Sequence, residues 1–133
     1  MREIKCLSVS PKCTPWVTTL ETSVDAFNKA VSIGSNEELR AVTKRIGKRT
    51  YAVYAYESVF EDLEPNRKVG DEIICGVFYI VAVDDTFKPV SMTEKQMMKY
   101  MMKFYEPENY DYSDVLDDWS NRMIRELDKL RSS

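Results

Sequence analysis

The sequence predicts an α+β fold: an antiparallel or mixed sheet of about five strands, one early helix and two C-terminal helices. Three observations predict it. The run IICGVFYIVAV, from Ile73 to Val83, carries no charge and little alternation, the pattern of a strand buried on both faces. SMTEKQ, beginning at Ser91, holds two overlapping capping boxes, Ser91 with Glu94 and Thr93 with Gln96, and so opens a helix. Leu116, Trp119, Met123, Leu127 and Leu130 recur at spacings of 3, 4, 4 and 3, one face of a final helix that should be docked. The sheet's central strand over 73–83 is thus followed by a helix that folds back over it.

The other elements follow in order. Arg2 to Ser10 alternates Ile4, Cys6 and Ser8 with Lys5, Leu7 and Val9, as a first strand does. Pro11 and Pro15 end it, and Trp16 to Leu20, β-branched and aromatic, is the return strand. Ser23 is an N-cap candidate, with Val24, Phe27, Ala30 and Val31 on one helical face and Gly34 as the stop. Strands near 38–45 and 49–57 flank a turn at Ile46, Gly47 and Lys48, where Gly47 permits a positive φ. Both faces of the second arm are apolar or aromatic, which places it inside the sheet. EDLEPNRKVGDE, from Glu61, reads as loop, and Gly76 marks a bulge or a close backbone approach. Thr93 is the favoured cap of the helix that runs to about Tyr105, where Pro107 blocks continuation.

A chain of 133 residues, 44% hydrophobic and 31% charged, is ordinary globular composition and can close one core. No stretch approaches the ~20 apolar residues that cross a bilayer, and the N-terminus lacks an apolar signal region, so the expectation is a soluble protein of the cytoplasm. Three cysteines, Cys6, Cys13 and Cys75, have no metal-ligand spacing and read as reduced thiols, with Cys6 and Cys75 inside strands. The net charge of −3 hides a weakly basic front and an acidic back, which leaves room for two surfaces with different partners.

Catalysis has little support. The chain has no histidine, which removes Cys-His and Ser-His-Asp systems, and its four glycines form no phosphate loop. The adjacent acids Asp84-Asp85 and Asp117-Asp118 suit a hard metal or a hydrolytic pair, but such pairs are far more often solvated turns or helix starts. No enzyme, metal or cofactor is expected.

Three segments remain as binding candidates. Lys44, Arg45, Lys48 and Arg49 crowd a hairpin tip, followed by Tyr51, Tyr54 and Tyr56; this knuckle suits phosphates and stacked bases, or is a solvated tip that discourages edge pairing. The helix EKQMMKYMMKFY places Met97, Met101, Phe104 and Tyr105 on one face, with Met98 and Met102 widening it. That stripe serves the core, an adaptable partner surface or a contact with a second copy of the chain. Glu106, Glu108, Asp111, Asp114, Asp117 and Asp118 interleave with Tyr110, Tyr112 and Trp119 and no basic residue. Such carboxylates match the Arg and Lys donors of a basic, nucleic-acid-binding groove, although a helix dipole alone accounts for those at the helix start.

These segments resemble a family of small phage and mobile-element proteins with an uncharacterised domain. The residues that carry the resemblance are Pro11 and Pro15, Gly34, Asn66-Arg67, Gly76-Val77-Phe78, the Ser91-x-Thr93-x-x-Gln96 helix start and Pro107-Glu108. It covers about residues 2–108, so 1–108 is expected to be an α+β domain and 109–133 a helical extension packed on it. The resemblance implies a counter-defence context, as for antirestriction genes. The expected function is a non-catalytic accessory protein of the bacterial host cytoplasm that binds and blocks a defence component with a basic surface, such as a restriction or nucleic-acid-guided effector. A sponge for a nucleotide immune signal, held by the knuckle, Tyr54, Asn66 and Arg67, is the alternative, as is direct nucleic-acid binding. Asn66 and Arg67 are singled out as a loop pair able to give directional hydrogen bonds; the plainer reading has Asn66 closing a turn and Arg67 paired with an acid.

Overall fold

The computed structural model describes residues 2–56 and 63–132, and its chain is α+β. The elements are β1 (Glu3–Val9), β2 (Trp16–Glu21), α1 (Val24–Val31), β3 (Ala41–Arg45), β4 (Thr50–Ala55), β5 (Pro65–Val69), β6 (Glu72–Cys75), β7 (Phe78–Val83), β8 (Pro89–Val90), α2 (Glu94–Lys103) and α3 (Tyr112–Ser132). The main sheet is antiparallel and has six strands in the order β2-β1-β7-β4-β3, with β8 beside β7; β5 and β6 form a separate two-stranded sheet. The expected end of the second hairpin arm at Glu57 and start of the loop at 61–62 lie outside the described residues.

β7 is the centre, as its uncharged sequence requires: all six residues are buried. Strand alternation gives it two working faces. Leu7, Ile80 and Ala52 line up across three strands on one face, with Phe78 and Phe104 in an edge-to-face contact at 5.4 Å under α2. Tyr79, Val53 and Val81 occupy the other face, under α1 and the start of α3.

The expected strand over 73–83 is two strands in two sheets. Gly76, at φ +79°, turns the chain between them, and the Leu63 side chain fills the place of a Cβ. Composition conceals the break because β6 and β7 are both buried. The expected loop before it is also corrected. Pro65–Val69 is strand β5, joined to β6 by a turn at Gly70 with φ +64°.

Local signals hold well at the helix starts. Ser23 caps α1, accepting from the Ala26 N–H at 3.1 Å. Thr93 and Gln96 form the complete capping box of α2, at 3.1 and 2.9 Å. Ser91 instead accepts from the Lys5 N–H, tying the entry of α2 to β1. Gly47 does not use a positive φ. Its hydrogen leaves room for the Thr50 and Tyr100 hydroxyls, which bond each other at 2.6 Å and would both collide with a Cβ there.

α3 departs most from expectation. Val115 is buried and Leu116 and Trp119 pack on the core, but Met123, Ile124, Leu127 and Leu130 are 42–72% exposed. The small β5-β6 sheet, strands of five and four residues, supports only the first turns. Arg122 then pairs with Glu72 and Asp118, and Arg125 with Asp71, on the body side of the helix. No helix among the described residues is long and apolar enough to cross a membrane.

Candidate functional site

Asn66 and Arg67 lie in strand β5, fully buried, and not in a loop. Asn66 Nδ2 donates to the carbonyls of Val9 and Gly76, both at 2.8 Å. Arg67 donates to Asn66 Oδ1 at 2.7 Å and to the carbonyls of Ser10, Cys13 and Phe104. Burial lowers the guanidinium's pKa below its ordinary value, and the carboxylate of Glu108 opposes that shift. The pair cross-braces β1, β5 and the end of α2, so neither the ligand role nor the turn-and-acid reading applies. Its donors are spent on the interior.

The basic knuckle also divides. Neighbouring strand residues point to opposite faces, so Lys44 and Arg45 part company. Lys44 turns to Asp71 and Glu72, at 3.2 and 3.6 Å, and holds the carboxyl of Asp71 below its ordinary value. Tyr54 belongs to the same network: its hydroxyl donates to Glu72 at 3.1 Å, and burial beside that carboxylate raises its pKa. Tyr56, half-exposed, stacks under the Arg40 guanidinium at 4.3 Å. Arg49 pairs with Asp85. Arg45 donates to the Gly47 and Lys48 carbonyls, bracing its own turn. Of the four knuckle residues, Arg45 and Lys48 keep charges that no carboxylate among the described residues pairs.

Beside Arg45 the sheet is only partly covered, with Thr43 exposed and Tyr51 half-buried. α1 has eight residues, and its N-terminal Val24 is 76% exposed. A groove of about 450 Å³ runs between α1 and the β7-β8 turn, floored by Thr43, Tyr51, Val53, Val81 and Val83 and walled by Phe27 and Phe87. Asn28 also borders it, but its Oδ1 already accepts from the Ala41 N–H at 2.8 Å.

The acidic segment is mostly occupied in building α3. Asp111 and Asp114 exchange side-chain-to-backbone bonds, both 2.9 Å, as the helix's capping pair; the Asp114 N–H and the Ser113 hydroxyl hold the Asp111 carboxyl below its ordinary value. Asp118 accepts from the Ile73 N–H at 3.1 Å and from Arg122. Glu108 accepts from the Lys68 N–H and from the hydroxyl of Tyr110, whose pKa is pushed up to about 12 by burial and that carboxylate. Glu106 and Asp117 are exposed. Of the other adjacent pair, Asp84 accepts from Thr86 and Lys88 within a tight turn.

In α2, Tyr100 and Phe104 are buried and Met97 and Met101 half-buried, whereas Met98, Met102 and Tyr105 are 53–75% exposed. The core therefore takes Met97, Met101 and Phe104 of the expected stripe, and solvent takes Tyr105 together with the widening Met98 and Met102. Sequence reasoning passed over Ile124 and Phe87. Ile124 sits beside the periodic stripe of α3 and shows up when that face is widened by one position. Phe87 looks like any turn aromatic until its backbone angle is known. Compared with protein-family models, curated proteins and solved structures, the chain finds no match.

Proposed function

We propose that this chain is a non-catalytic binding protein that docks on a protein partner through the outer half of α3. The exposed stripe of Met123, Ile124, Leu127 and Leu130 carries the reading. The 21-residue helix is about 31 Å long, and among the described residues no core cluster takes in its outer turns. A helix end in water gains little from propensity alone and is stabilised by covering its apolar face. Asp117 borders the stripe, while its outer turns carry Arg122, Arg125, Lys129 and Arg131 against Glu126 and Asp128, and Glu126 pairs with Lys129. The complementary surface is an apolar groove with a Lys or Arg where it meets Asp117.

That chemistry fits a defence effector with a nucleic-acid-binding groove, and the phage and mobile-element resemblance supports the same direction. In this account the protein blocks the effector from the cytoplasm of a bacterial host. Met98 and Met102 form a second exposed patch available to a partner or a second copy. The acidic segment contributes mainly through Glu106 and Asp117, since the other carboxylates hold the fold.

Association with a panel of purified restriction and nucleic-acid-guided effectors, measured across salt concentrations, tests the proposal. Saturable binding to a panel member, with an on-rate that falls as salt rises and falls again in Asp117→Asn, is expected. Uniform failure to bind, or self-association of the protein through α3 in sedimentation, contradicts it.

A further inference from the structure

We infer that the groove between α1 and the β7-β8 turn is a binding site for a monocarboxylate with an apolar body, such as a medium-chain fatty acid. It is separate from the docking face on α3. Its volume of about 450 Å³ falls within the range of small-molecule sites, ~300–1,000 Å³.

The register of the sheet fixes the site's polarity. Arg45 stands directly opposite Tyr51, and Tyr51 directly opposite Val81, so a cation, a phenol and a valine form one row across three strands. Tyr51 and Val81 floor the groove, and Arg45 stands at the end of their row. A second hollow, lined by Arg45, Lys48 and Arg49 with Asp84 and Asp85, shares Val83 and Phe87 with the groove. Asp85 pairs with Arg49, while Asp84, held ionised by the Thr86 hydroxyl and the backbone N–H groups of Thr86 and Lys88, keeps its charge. Three cations against two carboxylates leave one net positive charge at this end of the apolar trough, and Arg45, whose Nε and Nη2 already donate to the Gly47 and Lys48 carbonyls, still has Nη1 to offer a carboxylate.

Phe87 strengthens the reading. It adopts φ +63°, a conformation that bulky residues avoid, and the residue is 70% exposed at the groove wall. The turn imposes this: Asp84 Oδ1 receives Thr86 and Lys88, and the Asp84 carbonyl receives the Phe87 N–H at 3.0 Å. Glycine or asparagine is the residue the turn itself prefers. Strain of this kind persists at sites where the side chain has work to do, and an aromatic wall for an apolar ligand is such work. A nucleotide fits poorly here. The groove offers the hydroxyls of Thr43 and Tyr51 and an Asn28 amide whose oxygen is already used, too few partners for a base and sugar.

Calorimetry with octanoate, decanoate, decanol and adenosine monophosphate tests the inference on the whole chain. Decanoate should bind saturably at one site, about sixteenfold tighter than octanoate because each buried methylene adds about fourfold. Decanol should bind more weakly. Lys48→Ser, an exposed change, should weaken decanoate and leave decanol unaltered. Phe87→Gly should keep or raise the urea midpoint while weakening decanoate at least ~tenfold, opposite signs that a general loss of fold cannot produce. Absent or unsaturable decanoate binding, equal affinity in Phe87→Gly, or tighter binding of the nucleotide would each overturn it.

Discussion

Arg67 donates to the carbonyl oxygen of Phe104 through both Nε and Nη2, at 3.2 and 2.8 Å, and so holds the C-terminal end of α2 from inside the protein. A cation is favoured at a helix C-terminus, where the last carbonyls have no helical donor. The same guanidinium reaches Ser10 and Cys13 across the β1-β2 connection. One side chain therefore joins three segments far apart in sequence.

Replacing Arg67 with Met should leave buried carbonyls without donors and cost about 3–5 kcal/mol. Arg67→Lys should recover only part of this, because an ammonium cannot span the same acceptors. Urea unfolding measures both. A loss below about 1 kcal/mol in Arg67→Met would refute the brace.

Gly47→Ala should destabilise the hairpin, since its Cβ would meet the Thr50 and Tyr100 hydroxyls. Tyr100→Phe removes one of those two atoms and should cost about 1–2 kcal/mol alone by leaving Thr50 short of a partner. The double variant should lose less than the sum of the two, which a double-mutant cycle in urea detects. Strict additivity would place the clash elsewhere.

Acid and alkali should act on different groups. Asp71, Asp84 and Asp111 are held below their ordinary 3.8 by hydrogen bonds, so the stability they give is present above about pH 4. It is lost as pH falls through their lower native values. Cys6 and Cys75, pushed up from 9.0 to about 12 and about 11 by burial, act in reverse. Their contribution is full below pH 9.0 and declines as pH rises toward the native values. Thermal melts across pH should fall away on both sides, and Asp111→Ala should flatten the acid side. An unchanged acid limb would exclude Asp111.

Thiol labelling of the native protein should modify Cys13 rapidly and Cys6 and Cys75 only on unfolding, since Cys13 alone of the three is exposed. Rapid loss of all three thiols would contradict the placement of β1 and β6.

What could be read from the sequence was local. The Thr93 and Gln96 box needs four consecutive residues, and the apolar character of Phe78–Val83 marks a central strand wherever its neighbours come from. Arg67 is the opposite case. Its partners are backbone carbonyls, which every residue has, so nothing in Ser10, Cys13 or Phe104 announces the contact. Lys44 and Arg45 look like one cluster until alternation sends them to opposite faces. The stripe on α3 was visible as a period, but periodicity does not say how much surface lies opposite to cover it.

The most direct measurement of the docking account is the association of an effector, at fixed salt, with wild-type protein and with the triple variant Ile124→Ser, Leu127→Ser, Leu130→Ser. These residues are 49–72% exposed, so the folded body should keep its unfolding free energy in urea within about 0.5 kcal/mol. The account predicts that affinity then falls by about 100-fold or more, as for the loss of a central apolar anchor. A variant that binds with wild-type affinity, or one whose body unfolds with a loss of several kcal/mol, would contradict it.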